Sequence, residues 1–280
     1  SAASDVYKRQ RQLEPGVFSG SEAEPLYGDT YLPRKFKVAV TVPGDNSVDL
    51  LTQDIGLVAF TDPSGDLRGC NVYVGGGMGR THNKEETFAR IADPLGYVDA
   101  ADVFDLLQAI VALQRDHGDR RIRRHARMKY LLEDRGIAWF RNELKANYFS
   151  RPLKGLRNEA KPKLLDYLGW HRQKAGLWFV GLPLLCGRLK GTMKQGLRAI
   201  VDTYQLEIRL TANQDLLLCN IGTAQRATIK AELAALGFDL PDAPPPLARH
   251  AIACPALPTC GLAITESERI LPSVLERLDA

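Results

Sequence analysis

The chain has 280 residues, of which 45% are hydrophobic and 25% charged, and its formal charge is +4 at pH 7. This balance is globular and long enough for one large domain or two ordinary ones, which excludes fibrous and low-complexity chains. No apolar run approaches the roughly eighteen residues of a membrane span, and the mild charge suits an anionic ligand without demanding nucleic acid.

In chain order, residues 1–25 read as a linker or foreign leader, and Ser1–Gln10 shows no apolar signal region and no relation to the rest of the chain. A strand is expected from Phe36 to Val42, ended by the turn Pro43-Gly44-Asp45-Asn46. Apolar strands over Ile55–Phe60 and Cys70–Val74 come next, the second running into Gly75-Gly76-Gly77-Met78-Gly79. Asp99 or Asp102 is placed to cap a helix reaching about Arg115, with Val103, Leu106, Leu107, Ile110 and Leu113 on its inner face. Further helices are expected over Arg121–Glu133 and Ala138–Ala146. The polar, lysine-rich stretch from Gly155 to Gln173 marks a boundary. Beyond it the pattern gives strand 177–180, helix 192–203, strands 206–210 and 214–219, and helix 223–236 with Gly237 at the C′ position. That order is a ferredoxin-like half. A stiff connection over Pro241–Pro246 leads to a cysteine segment, and periodicity over Leu262–Leu278 places Cys260 just before a helix N-terminus. The fold class is therefore α+β, divided into 26–150, 151–240 and 241–280.

Five segments carry candidate chemistry. In Tyr31-Leu-Pro-Arg-Lys-Phe-Lys37 the period of two sends Lys35 and Lys37 to one face, with Arg34 and Phe36 on the other. Two adjacent ammoniums make either a solvated strand face or a small-oxyanion site that supplies protons. The Gly75–Gly79 loop before Arg80-Thr81-His82 is either a tight turn or a close backbone approach to a flat or anionic ligand. Its spacing does not match G-x-G-x-x-G, which rejects a dinucleotide site. Arg120–Lys129 holds six Lys/Arg and His125. It reads as a solvated helix face, a nucleic-acid patch lacking the usual interleaved aromatics, or counter-charge for a polycarboxylate gripped by Arg124 and Arg127 at i, i+3. Asn213 and Gln214, in Arg209–Gln214, are structural polars at a strand junction or ligand-facing groups. Cys254 and Cys260 form a C-x5-C pair, half of the four thiolates a 4Fe–4S cluster needs; for zinc, no second pair or nearby histidine completes a set. Cys70, Cys186 and Cys219 read as small buried apolar residues; His117, His171 and His250 receive no role. The scattered, odd cysteines suit a reducing compartment.

Taken together, Glu24-Pro-Leu-Tyr-Gly28, Tyr31–Lys37, Asn71–His82, Arg127–Leu131, Arg209–Gln214 and Cys254–Arg269 resemble, in order, segments of the sulfite/nitrite reductase family. The resemblance runs from about residue 24 to the end. It implies a sirohaem whose iron is bridged through a thiolate to a 4Fe–4S cluster, with C-x5-C matched by Cys254 and Cys260 and a later C-x3-C lying beyond this chain. It implies sulfite contacts for Lys35 and Lys37, macrocycle contacts for Arg34, Gly75, Gly76, Gly77, Gly79, Arg80 and His82, carboxylate pairing for Arg124, Arg127 and Lys129, and lesser contacts for Asn213 and Gln214. Lys at position 37, where the nitrite branch tends to carry Asn, favours sulfite. The wording of the Val38–Pro43 and Gly75–His82 segments favours ferredoxin over an NADPH-dependent flavoprotein as donor. The resulting expectation is a fragment of an assimilatory sulfite reductase haemoprotein, cut at both ends and inactive alone, from the cytoplasm or a plastid stroma, with no membrane or nucleic-acid partner. Nitrite reduction on the same scaffold and a non-enzymatic nucleic-acid binder are the alternatives.

Overall fold

The structure, a computed structural model, describes residues 25–27, 31–238 and 246–279. The expected leader over 1–10 and the connection over 241–245 fall outside them. The chain forms two compact units, Ser1–Lys163 and Leu164–Ala280.

The first unit is built on a four-stranded sheet of β1 (Val38–Thr41), β2 (Ile55–Thr61), β3 (Leu67–Val74) and β4 (Asp93–Asp99), in that order. β1 and β2 are parallel and the other pairs antiparallel, so the sheet is mixed. Helices α1 (Val103–His117) and α2 (Met128–Glu143) supply the rest of one core. On α1, Val103, Leu106, Ile110 and Leu113 are buried as their helical spacing requires, together with Ile55, Val72, Val74 and Phe140 from the sheet and α2. Asp102 stands at the N-cap position of α1, but its carboxylate takes Arg151 at 2.7 Å instead of a main-chain N–H.

Three expectations change here. β4 was hidden because Pro94 and Gly96 punctuate it; Gly96, at φ 154, leaves room for the main chain of Lys154, which pairs with Tyr97. The helix expected over Arg121–Glu133 starts only at Met128, after a single 3-10 turn at Arg123–His125. Asp119 accepts the N–H groups of Arg121 and Ile122 at 2.7 and 3.0 Å, a local turn that competes with a helix, and like charges at helical spacing disfavour one. The separate helix at Ala138–Ala146 is instead the continuation of α2 past a break at Gly136 (φ 77, ψ 159), succeeded by a π turn at Leu144–Tyr148. The segment after α2 stays with this unit: Asn71 exchanges hydrogen bonds with the Arg157 main chain at 2.9 and 2.8 Å, and Asn46 N–H meets Lys163 O at 2.8 Å.

The second unit has an antiparallel sheet in the order β5 (Gly169–Arg172), β6 (Trp178–Leu182), β8 (Leu216–Ile221), β7 (Glu207–Leu210). Its helices α3 (Gly191–Tyr204) and α4 (Arg226–Ala235) bury Leu197, Ile200, Ile229 and Leu233 against Val180, Leu182, Leu218 and Ile221. β5 lies inside the stretch read as a boundary. At the end of α4, Phe238 N–H bonds Leu233 O and Gly237 N–H bonds Ala234 O, both at 3.0 Å, a Schellman closure with Gly237 at the expected C′ position. Short α5 (Pro246–His250) and terminal α6 (Leu271–Asp279) complete the unit. The helix expected from Leu262 is a correction: 261–270 runs in turns, Leu262 and Ile264 stand 94% and 92% exposed, and Arg188 holds Glu268 through two hydrogen bonds. Cys260 therefore has no helix N-terminus beside it.

Candidate functional site

Three stretches of the first unit converge on one cavity of about 870 Å³: the run into β1, the loop after β3 and the basic segment before α2. Extended backbone before β1 turns Phe36 onto the core and leaves Lys35 and Lys37 outward, and both lysines line the cavity. Arg34, expected on the opposite face, lines it too, because the chain bends there instead of continuing the strand. Met78, Gly79, Arg80 and Thr81 supply another wall, and Arg121, Arg123, Arg124, Arg127 and Lys129 the third. The wall thus carries nine Lys/Arg side chains and no carboxylate. The Lys35 amine shows the crowding: the Lys37 charge pulls its pKa down most, burial and the Arg127 and Arg34 charges add to that, and Asp54 opposes them.

Behind this wall lie groups that the sequence did not reveal. Asp54, fully buried at the head of β2, accepts the Lys37 main-chain N–H at 2.9 Å and Arg127 Nη2 at 2.7 Å on one oxygen, Oδ2. Burial raises its pKa, and the hydrogen bonds and charges of Arg127 and Lys37 only partly offset that. Gln114, also buried, donates from Nε2 to Ala126 O at 2.9 Å and so fixes the start of the Ala126–Lys129 corner. Arg90 clamps the glycine loop, bonding Gly75 O at 3.1 Å while paired with Asp93 and Glu133 at 2.7 and 2.9 Å.

Lys129 differs from its expected role. It is 1% exposed, and its ammonium is caged by the carbonyls of Gly77 (3.1 Å), Gly79 (2.7 Å) and Phe88. Its charge is spent on holding the loop, and desolvation lowers its pKa. The glycines also act differently from expectation. The N–H groups of Gly75, Gly76 and Gly77 already bond Asp54 O, Gln53 O and Arg90 O at 2.8–2.9 Å, so they are not free donors to a ligand. A Cβ on Gly76 would stand 2.2 Å from Leu51 O, and one on Gly77 would crowd Arg127 and Lys129 at 3.0 and 3.1 Å. Gly79 alone of the four lines the cavity. His82 lies in an exposed turn outside the lining. Arg124 sits in the 3-10 turn and Arg127 is extended (φ −80, ψ 152), so the two share the cavity but no helical face.

Asn213 and Gln214 belong to the second unit. Asn213 N–H bonds Thr211 Oγ1 at 3.3 Å, and Gln214 reaches Ala253 O at 3.4 Å with a buried, unpartnered Oε1. Cys254 is exposed and Cys260 half-buried, with Cys260 N–H closing a turn onto Ala256 O at 2.7 Å. Among the described residues no cluster of three or more His, Cys, Asp or Glu stands ready for a metal ion, and no helix is long and apolar enough to cross a membrane. Cys70 and Cys219 are buried as expected, and Cys186 is half-buried.

Residues 2–153 match the profile described as the nitrite and sulfite reductase 4Fe-4S domain, and residues 171–236 match the nitrite/sulfite reductase ferredoxin-like half domain. The chain belongs to the nitrite and sulfite reductase family. The match begins at residue 2, inside the segment set apart as a leader, and Cys254 and Cys260 lie beyond both matched ranges. Among relatives of this family, the chain is 56% identical over 259 residues to a sulfite reductase (ferredoxin) of Synechococcus elongatus, covering 91% of this chain and 41% of that one. It is 40% identical over 262 residues to a sulfite reductase (NADPH) hemoprotein beta-component of Paenibacillus, covering 92% and 46%. The solved NirA protein of Mycobacterium tuberculosis superposes with a TM-score of 0.74 at 29% identity, covering 89% of this chain and 44% of that one. The chain thus spans less than half the length of these relatives. The α+β fold, with a mixed sheet preceding a ferredoxin-like half, is the family's.

Proposed function

We propose that this chain is the substrate-facing part of a sulfite reductase that reduces sulfite to sulfide with electrons from ferredoxin. The observation that carries the reading is the cavity wall of nine cations with no carboxylate. The higher identity to the ferredoxin-dependent relative than to the NADPH-dependent one supports the donor. Lys37, rather than Asn, supports sulfite over nitrite. We place the enzyme in the cytoplasm, or in a plastid stroma.

The donor set fits a sirohaem with its many carboxylates: Arg34, Arg80, Arg124 and Arg127 offer planar forks suited to them, and Gly79, where an added Cβ would meet nothing within 4 Å, leaves open space beside them. When bound, sirohaem supplies the iron at which sulfite takes up electrons. Lys35 and Lys37 neutralise the oxyanion and hold protons at Nζ for oxygens that leave as water; the lowered Lys35 value makes its proton easier to give. Lys129 and Arg90 keep the glycine loop in place beneath. Cys254 and Cys260 would supply two of the four thiolates a 4Fe–4S cluster requires. The sirohaem and substrate contacts fall to the first unit, the ferredoxin-like half to the second unit up to residue 240, and 241–280 opens the iron–sulfur region.

Titrating the chain with sirohaem, tracked by its visible absorbance, tests the reading. Saturable uptake is expected, weakened at least about tenfold in Arg124→Glu, where attraction at the cavity becomes repulsion. Equal uptake by the variant overturns it.

A further inference from the structure

The Asp54–Arg127 pair is built in an unusual way. An arginine and a carboxylate that serve only to hold a fold commonly meet as a fork, two N–H groups on two oxygens. Here one nitrogen meets one oxygen at 2.7 Å, while Asp54 Oδ1 and Arg127 Nε are both buried without a partner. Asp54 has no exposed surface and stands behind the wall; Arg127, 12% exposed, stands in it. The guanidinium therefore has an acid on one side and the cavity on the other. The charged groups facing Asp54 are Arg127 at the N-cap position of α2, Lys129 in its first turn, and Lys35 and Lys37 from the run into β1.

We propose that Asp54 is the built-in counter-ion of this cavity: its carboxylate pairs with Arg127 until an oxyanion arrives, and then competes with that oxyanion for the guanidinium. The inference rests on the proposed reading of the cavity as an oxyanion site. An internal acid of this kind limits how tightly the cavity holds any anion that reaches Arg127, a carboxylate of the cofactor as well as a small oxyanion. Its carboxyl is pushed above the usual range by burial, so the ionised form costs the fold more than a neutral group of the same shape would. The charge is thus retained for what it does to the cavity. Protonation of Asp54 removes the competitor and frees Arg127 for the anion.

The experiment is calorimetric titration of the full chain and its Asp54→Asn variant with inorganic sulfate, an oxyanion whose own charge is constant over the pH range used. Asn keeps an acceptor for the Lys37 N–H and removes the charge. At pH 7 the variant is expected to bind sulfate about tenfold more tightly, the effect of deleting one nearby, partly screened like charge. As the pH falls, wild-type affinity rises towards that of the variant, which changes less. A residue with only a structural role gives the opposite result, weaker binding in the variant. Should Asp54→Asn fail to fold, Asp54→Ser takes its place, with the same expected sign. Sulfate binding to the wild type with equal or weaker binding to the variant overturns this inference alone. Absence of binding to both chains overturns it together with the reading of the cavity.

Discussion

The two units put their polar groups in different places. The six polar or charged side chains that are buried among the described residues, Thr41, Asp54, Asn71, Thr87, Gln114 and Lys129, all lie in the first unit. The second buries an apolar core of Val180, Leu182, Leu197, Leu218, Ile229 and Leu233 and has no such side chain among its described residues. A buried polar group destabilises a fold unless it is fully bonded, so a concentration of them marks structure held for a purpose other than stability. In the first unit Asp54, Gln114 and Lys129 all fasten the corner at Ala126–Lys129, which supplies one wall of the cationic cavity. The second unit is scaffold by the same measure.

Substitutions sharpen this contrast. Leu218→Ala empties a fully buried position in the second unit and should cost about 4 kcal/mol in denaturant unfolding, with sulfite binding unchanged. Lys129→Met should cost about 3 kcal/mol, because three carbonyls lose a charged donor, and should also weaken sulfite binding as the loop relaxes. A loss below about 1 kcal/mol for Lys129→Met would break the comparison, since the cage would then hold nothing.

The pH dependence of the Asp54 pair has a definite sign. Its folded pKa lies above its unfolded one, so the stability contributed by its protonation is full below the ordinary carboxylate value and is lost as pH rises through the raised value. Asp54→Asn should therefore gain on the wild type in urea unfolding over the interval in which pH rises from the ordinary carboxylate value through the raised one. A variant that loses ground over that interval contradicts the assignment. The smallest effect is expected at the cysteines: with Cys254 exposed and Cys260 half-buried, replacing both by Ala in the metal-free chain should shift stability by no more than about 0.5 kcal/mol.

Much of this organisation was legible from local pattern. The strands at β1 to β3, helices α1, α3 and α4, and the Gly237 closure come from periodicity and end signals. Lys35 and Lys37 stood out because two cations at a period of two on an otherwise apolar run are conspicuous. The parts that stayed hidden depend on partners distant in sequence. Asp54 is one acid before an apolar strand, and its partner Arg127 lies 73 positions away. Lys129 looked like one more member of a basic run, and only the carbonyls of Gly77, Gly79 and Phe88 distinguish it from Arg124. Composition correctly marked Arg120–Lys129 as basic but gave it the wrong shape, because the Asp119 turn outweighs helical spacing.

The most direct test of the cavity is calorimetric titration with sulfite of the wild-type chain and of Lys35→Met/Lys37→Met at neutral pH. Two ammoniums facing the anion predict about a hundredfold loss of affinity in the double variant and a wild-type affinity that falls steeply with added salt. Equal affinity in the two chains would contradict the assignment of these lysines to the oxyanion.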